Sequence, residues 1–99
     1  MLHKATAASA LLKAMANARR LMILCYLAEG KKSVGELERL IGISQSALSQ
    51  HLARLRHDGL VCTRRVAQSI IYALDGHEAT AVMGALYDLY CVEPKRSTG

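Results

Sequence analysis

Residues 33–60 read SVGELERLIGISQSALSQHLARLRHDGL, and this stretch decides the fold. Ser33 with Glu36 three residues on is a capping-box pattern, in which each side chain satisfies a backbone N–H left open by the first helical turn. Val34, Leu37, Leu40 and Ile41 then recur at helical spacing, which predicts a short amphipathic helix. Gly42 stops it. Ser44 is placed to cap a second helix with an inner stripe of Leu48, Leu52 and Leu55, ended by Asp58-Gly59. Two helices joined by the short turn Ile41-Gly42-Ile43-Ser44 describe a helix–turn–helix, whose second helix lies in the major groove of DNA.

Downstream the apolar period changes from helical to alternating. The runs from Leu60 to Val66 and from Ser69 to Leu74 are rich in β-branched residues and tyrosine, and Ala67-Gln68 between them predicts a β-hairpin, although without the favoured Asn-Gly type of turn. Beyond it, Ala79, Val82, Met83, Leu86, Tyr87 and Tyr90 fall on one helical face, giving an amphipathic helix over 76–92. Upstream, an Ala-rich helix is expected over 5–16. Asn17 is a natural N-cap for a second helix, in which Leu21, Met22, Ile23, Leu24, Cys25, Tyr26 and Leu27 form one apolar block. A helix apolar all round belongs at the centre of a fold, and Gly30 is its expected C-cap. The fold class that results is mainly α with a two-stranded β wing. It forms a single domain over 1–99, with the helix–turn–helix at 33–58, the wing at 60–74 and a tail at 93–99 that contains the sole proline, Pro94.

The 99 residues are 52% hydrophobic, enough for a packed core, but a chain this short buries a limited share of its surface, so association with a second copy would help it. With 13 Lys and Arg against 8 Asp and Glu the net charge is +5, which suits a polyanionic partner. No apolar run is long enough to span a bilayer, and the first residues lack a sustained apolar signal core; the expectation is a cytoplasmic protein without membrane contact. The 3 cysteines, at 25, 62 and 91, are too widely spaced for a CxxC motif, and in a reducing cytosol any disulfide between them would be transient. No nucleophile–base pair, Gly-rich phosphate loop or paired carboxylates stand out, so an enzyme is not expected, nor a cofactor.

The second helix of the pair turns Gln45, Ser46, Ser49, Gln50, Arg54 and His57 outward, short hydroxyls and amides that reach base edges, with Gln able to bond adenine bidentately. None of these is acidic. Ser44 and His51 complete the expected DNA-facing set, His51 by setting the helix or touching phosphate. The hairpin adds Arg64 and Arg65 on one strand and Gln68 at its tip, a basic wing that would contact phosphates and position the protein without specifying sequence.

The segments Ser33-Val34-Gly35-Glu36-Leu37, Gly42 to Leu52 and Leu55-Arg56-His57-Asp58-Gly59-Leu60-Val61 resemble the ArsR family of bacterial repressors, and the resemblance runs from about Leu11 to Cys91. It implies a homodimer paired through the first and last helices, a dyad DNA operator read by two recognition helices, and an inducer that releases the DNA. The chain has Asn17-Ala18 where members often carry His-Pro or Asn-Pro. Leu11 to Asn17, Ile23-Leu24-Cys25 and Ala85 to Cys91 are similar to the thiol- and persulfide-sensing branch. That resemblance implies that Cys25 and Cys91 are a redox-sensing pair, joined by a disulfide or polysulfide bridge when reactive sulfur species act as inducer. Cys62 has no counterpart there and reads as incidental and half exposed. An alternative is a metal-responsive member: Asp75-Gly76-His77 with Asp88 and Cys91 has the spacing of a family metal site with half its ligands replaced. A ligand-independent regulator is the remaining alternative.

Overall fold

The structure is a computed structural model that describes the backbone of residues 1–91 and the side chains of residues 1–90. The expected tail at 93–99 and the last residue of the expected terminal helix lie outside the described residues. The chain order is α1 (Leu2–Met15), α2 (Ala18–Glu29), β1 (Lys32–Ser33), α3 (Val34–Ile41), α4 (Gln45–His57), β2 (Val61–Val66), β3 (Ser69–Leu74) and α5 (His77–Leu86), continued by a π-helical turn, Tyr87–Cys91. This is a winged helix–turn–helix.

The starts of α2, α3 and α4 each have a local cause. The Asn17 side chain accepts from the backbone N–H groups of Arg19 and Arg20, both at 3.0 Å. The capping box forms as the spacing predicts: Glu36 N donates to Ser33 Oγ at 3.1 Å and Ser33 N donates to Glu36 Oε1 at 2.8 Å. That backbone bond holds the Glu36 carboxyl below its usual range, with Lys32 and Arg39 adding smaller pulls in the same direction. Ala47 N donates to Ser44 Oγ at 3.2 Å. Gly42 ends α3 in the left-handed region, φ 75°, a conformation without penalty only where no Cβ is present.

α2 is the central helix. It packs against α3, α4, α5 and β3, and its Ile23, Leu24 and Leu27 are buried among Leu37, Leu48, Leu55 and Met83. The apolar block at 21–27 is therefore divided: three residues enter the core, while Leu21, Met22, Cys25 and Tyr26 pack beside it, half-buried.

The hairpin forms in the expected register, with Val61 opposite Leu74 and Val66 opposite Ser69. Its tip solves the turn without glycine. Ala67 takes φ 57°, and among the described residues no other non-glycine has a positive φ. Positive φ at the first central residue alone is the pattern of a II′ turn, which matches the strand twist. The sheet is larger than the sequence suggests. β1 pairs antiparallel with β3, Lys32 opposite Tyr72 and Ser33 opposite Ile71, giving three strands in the order β1-β3-β2. Two residues have no readable period, and β1 exists because β3 offers it hydrogen-bond partners.

Two other boundaries differ from expectation. α1 starts at Leu2, three residues early, and ends at Met15. The last helix is α-helical only to Leu86 and then widens into the π turn, so the expected stripe breaks: Ala79 and Met83 are buried, whereas Tyr90 is 80% exposed, as is the neighbouring Leu89 at 67%.

Candidate nucleic-acid interface and thiol site

With Leu48, Leu52 and Leu55 buried, α4 is fixed by its inner stripe and turns the rest of its circumference outward. Gln45, Ser46, Ser49, Gln50 and His57 are exposed, as the sequence predicts. Two other expected residues have a structural partner. Ser44 is committed to the cap of α4. Arg54 donates through Nε to Asp58 Oδ2 at 2.7 Å, on the flank of α4 that faces Ala7, Ala10 and Leu11 of α1. His57 Nδ1 lies 3.2 Å from the other Asp58 oxygen, and these contacts, the Arg54 bond first, hold the Asp58 carboxyl below its usual range. His51 is half-buried. Desolvation, with smaller contributions from Arg20 and Arg19, lowers its pKa and favours the neutral ring. Arg20 is itself tied down, its Nε donating to Ala14 O at 2.7 Å across the α1–α2 corner.

Arg56 was not among the residues singled out from sequence. It is exposed and has no ion pair among the described residues. It borders a cleft between α4 and the root of the wing, together with Ser49, Ala53 and His57 of α4 and Tyr72 of β3. The available signal was Asp58, which stands four residues after Arg54 and two after Arg56. Helical i,i+4 geometry pairs it with Arg54 and leaves Arg56 free.

The wing separates its two arginines. Strand alternation puts Thr63 and Arg65 on the face of Tyr72, toward α4. Arg64 falls on the other face with Cys62 and Val66, bordering a cavity of about 660 Å³ that Lys31, Ser33 and Glu36 close. Arg64, Arg65 and Gln68 are all exposed. The exposed charge of recognition helix and wing is thus basic, apart from Asp58, which Arg54 neutralises.

On the far side of α2, Cys25 sits half-buried in a stripe with Leu21, Met22, Tyr26 and Glu29. These residues and Tyr87 of the π turn line a cavity of about 350 Å³. Tyr87 Oη donates to Glu29 Oε2 at 3.4 Å, joining the end of α2 to the π turn. Burial raises the Tyr87 pKa, and the Glu29 carboxylate beside it raises it further. Cys25 is disulfide-bonded, whereas Cys62 is free and exposed. Cys91 closes the π turn that packs on α2, and its side chain lies outside the described residues. Among the described residues no three His, Cys, Asp or Glu side chains converge as metal ligands. Asp75 instead accepts from Gly76 N at 3.0 Å.

Comparison with known proteins agrees with this geometry. Residues 17–63 match the family described as bacterial regulatory protein, arsR family. The transcriptional activator HlyU of Vibrio cholerae is 58% identical over 81 residues, covering 82% of this chain and 75% of the relative. The structure of reduced HlyU from Vibrio cholerae superposes with a TM-score of 0.89 at 53% identity, covering 93% of this chain and 97% of that one. The crystal structure of the transcriptional repressor BigR from Xylella fastidiosa gives a TM-score of 0.85 at 45% identity, covering 92% and 90%.

Proposed function

This chain belongs to the ArsR family of bacterial DNA-binding transcriptional regulators and is not an enzyme, and on that premise we propose that it is a homodimeric repressor that releases its operator when Cys25 and Cys91 are covalently joined. The observation that carries this reading is the state of the thiols: Cys25 is disulfide-bonded, Cys62 is free, and the turn that ends at Cys91 packs on α2.

The inducer proposed is a reactive sulfur species such as an organic persulfide, RSSH. The Cys25 thiolate attacks its outer sulfur, giving Cys25–S–SH and RS⁻. The Cys91 thiolate then attacks the Cys25 sulfur and expels HS⁻. The dithiol gives up two electrons, the S–S bond of the donor accepts them, and the net products are the protein disulfide, the thiol RSH and hydrogen sulfide.

Coupling to DNA is mechanical. α2 packs directly on both helices of the reading pair, so a bridge that draws the last helix onto α2 changes how α3 and α4 are held. In the dimer the two recognition helices must meet half-sites about one turn of DNA apart, which makes binding sensitive to small changes in their separation. The dimer itself is supported by unpartnered apolar surface. α1 buries only Ala14 and Met15, Leu2 and Leu12 are 80% and 56% exposed, and Leu89 and Tyr90 in the π turn are exposed as well. Pairing of these first and last helices would cover them.

Gln45, Ser46, Ser49 and Gln50 are the proposed base-edge readers. Arg56 and His57 at the C-terminal end of the helix, with Arg64, Arg65 and Gln68 of the wing, are the proposed phosphate contacts. Ser44, His51 and Arg54 act through the helix they hold. Arg65→Ala is expected to weaken binding uniformly across sequences and to lower the salt-dependence slope by about one. Gln50→Ala should instead cost discrimination at one base pair.

The experiment is to titrate a labelled operator with reduced protein before and after treatment with an organic persulfide, following the bridge by intact mass. Formation of the bridge should weaken binding roughly 5- to 150-fold. Cys25→Ser and Cys91→Ser should abolish the response, and Cys62→Ser should retain it. Bridged protein that binds as tightly as reduced protein defeats the reading.

A further inference from the structure

We propose that Glu29 is a specificity residue for the inducer, a carboxylate at the Cys25 cavity that favours cationic or uncharged sulfur donors over anionic ones. This rests on the thiol-switch reading above and adds a selection step to it. Leu21, Met22, Cys25, Tyr26 and Glu29 lie on one helix at a spacing that puts them on one face, and Glu29 stands one turn beyond Cys25. Helical side chains lean toward the N-terminus, so Glu29 leans back toward the turn that carries Cys25. A donor that delivers its outer sulfur to Cys25 must therefore place its remainder in this cavity, where the apolar side chains provide no means to sort donors by charge.

Glu29 is the single charged side chain that lines the cavity among the described residues. Its Oε2 edge is held toward the π turn by the Tyr87 hydroxyl. Its Oε1 edge is 4.0 Å from Lys32 Nζ, at the limit of an ion pair, and that ammonium also donates to Gly30 O at 3.3 Å. Asp88 adds negative potential at Tyr87. Arg19 is the cation at the opposite end, its Nη1 3.6 Å from Met22 Sδ. The negative charge thus sits at the Glu29–Tyr87 wall, with Lys32 beyond Glu29 and Arg19 outside the Met22 end. An anionic donor is disfavoured on approach, and so is the build-up of charge when its RS⁻ leaves. For donors that differ by two unit charges, a water-screened carboxylate at roughly 6 Å gives a rate difference on the order of tenfold, which Lys32 and Arg19 reduce toward about threefold.

The test compares two donors of similar size and opposite charge, the persulfides of cysteamine and of 3-mercaptopropionate, in single-turnover bridging of the reduced full-length chain followed by quenched intact mass. The wild-type chain should bridge faster with the cationic donor by about threefold. Glu29→Gln should bring the ratio close to one, mainly by accelerating the anionic donor, and Glu29→Lys should invert it. A ratio unchanged in both variants overturns the role of Glu29 while the switch stands. Absence of bridging with either donor, in wild type and variants alike, overturns both.

Discussion

The reading pair α3–α4 and the terminal α5–π segment are built on opposite plans. The reading pair is determined locally at almost every step: Ser33 and Ser44 cap its helices, Gly42 turns between them, and Leu37, Leu48, Leu52 and Leu55 anchor it with at most 2% exposure. The terminal segment has no side-chain bond at its N-cap, Gly76, loses α-helical geometry after Leu86, and leaves Leu89 and Tyr90 in the open. On the thiol side Tyr87 of this segment donates a long bond to Glu29 of α2, beside the cavity of Cys25. The contrast teaches where each job belongs. A surface that must match DNA is made rigid by its own caps and stripe, and the element that the proposed thiol switch would move is drawn from the less constrained end of the structure.

The largest effect expected in breaking this contrast comes from the anchor of α4. Leu48→Ala should cost roughly 2–5 kcal/mol of stability by cavity formation, at any protein concentration, in chemical denaturation. Leu89→Ala at the terminal segment should instead change the apparent stability in a concentration-dependent way, through the dimer. Next is the cap: Ser44→Ala should cost about 1 kcal/mol. Tyr87→Phe, which removes the bond to Glu29, should cost less than that in the same measurement. A larger loss from Tyr87→Phe than from Ser44→Ala would reverse the assignment of rigid and yielding regions.

The wing sharpens the comparison in the other direction. Ala67→Gly removes the positive-φ penalty at the hairpin tip and should stabilise the chain by about 0.5–1 kcal/mol in thermal denaturation. The smallest expected effect is a pH dependence from His51. Its folded pKa is lowered, by burial first and then by Arg20 and Arg19, so the unfolded chain holds the proton more readily. Stability is therefore fully present above the ordinary histidine value of 6.5 and declines as pH falls below it through the folded value. His51→Gln should flatten the loss that sets in as pH falls below 6.5, where the lowered carboxyls of Glu36 and Asp58 remain ionised.

Much of the candidate interface was legible in the sequence because its causes are short-range. The capping box, the three-leucine stripe and the exposed Gln45, Ser46, Ser49 and Gln50 follow from helical spacing alone. The division of labour among the basic residues did not. The spacing turned Arg54 outward and passed over Arg56, whereas Asp58 pairs with Arg54 and leaves Arg56 exposed, and Arg64 and Arg65 are neighbours that the pleat sends to opposite faces. The apolar block of α2 was readable as central, yet which of its residues enter the core and which line the Cys25 cavity depends on what packs around it.

The sequence alone determined the order of helices, the turn between α3 and α4, the register of the hairpin and the residues α4 turns outward, because caps, stripes and alternation act over a few residues. Tertiary structure decided the rest. It recruited Lys32-Ser33 into the sheet by offering the edge of β3, broke the last helix into a π turn, and brought Glu29 and Tyr87 together across 58 positions of chain beside Cys25. These features depend on contacts between segments distant in sequence, and no local spacing records which distant segment will be the partner.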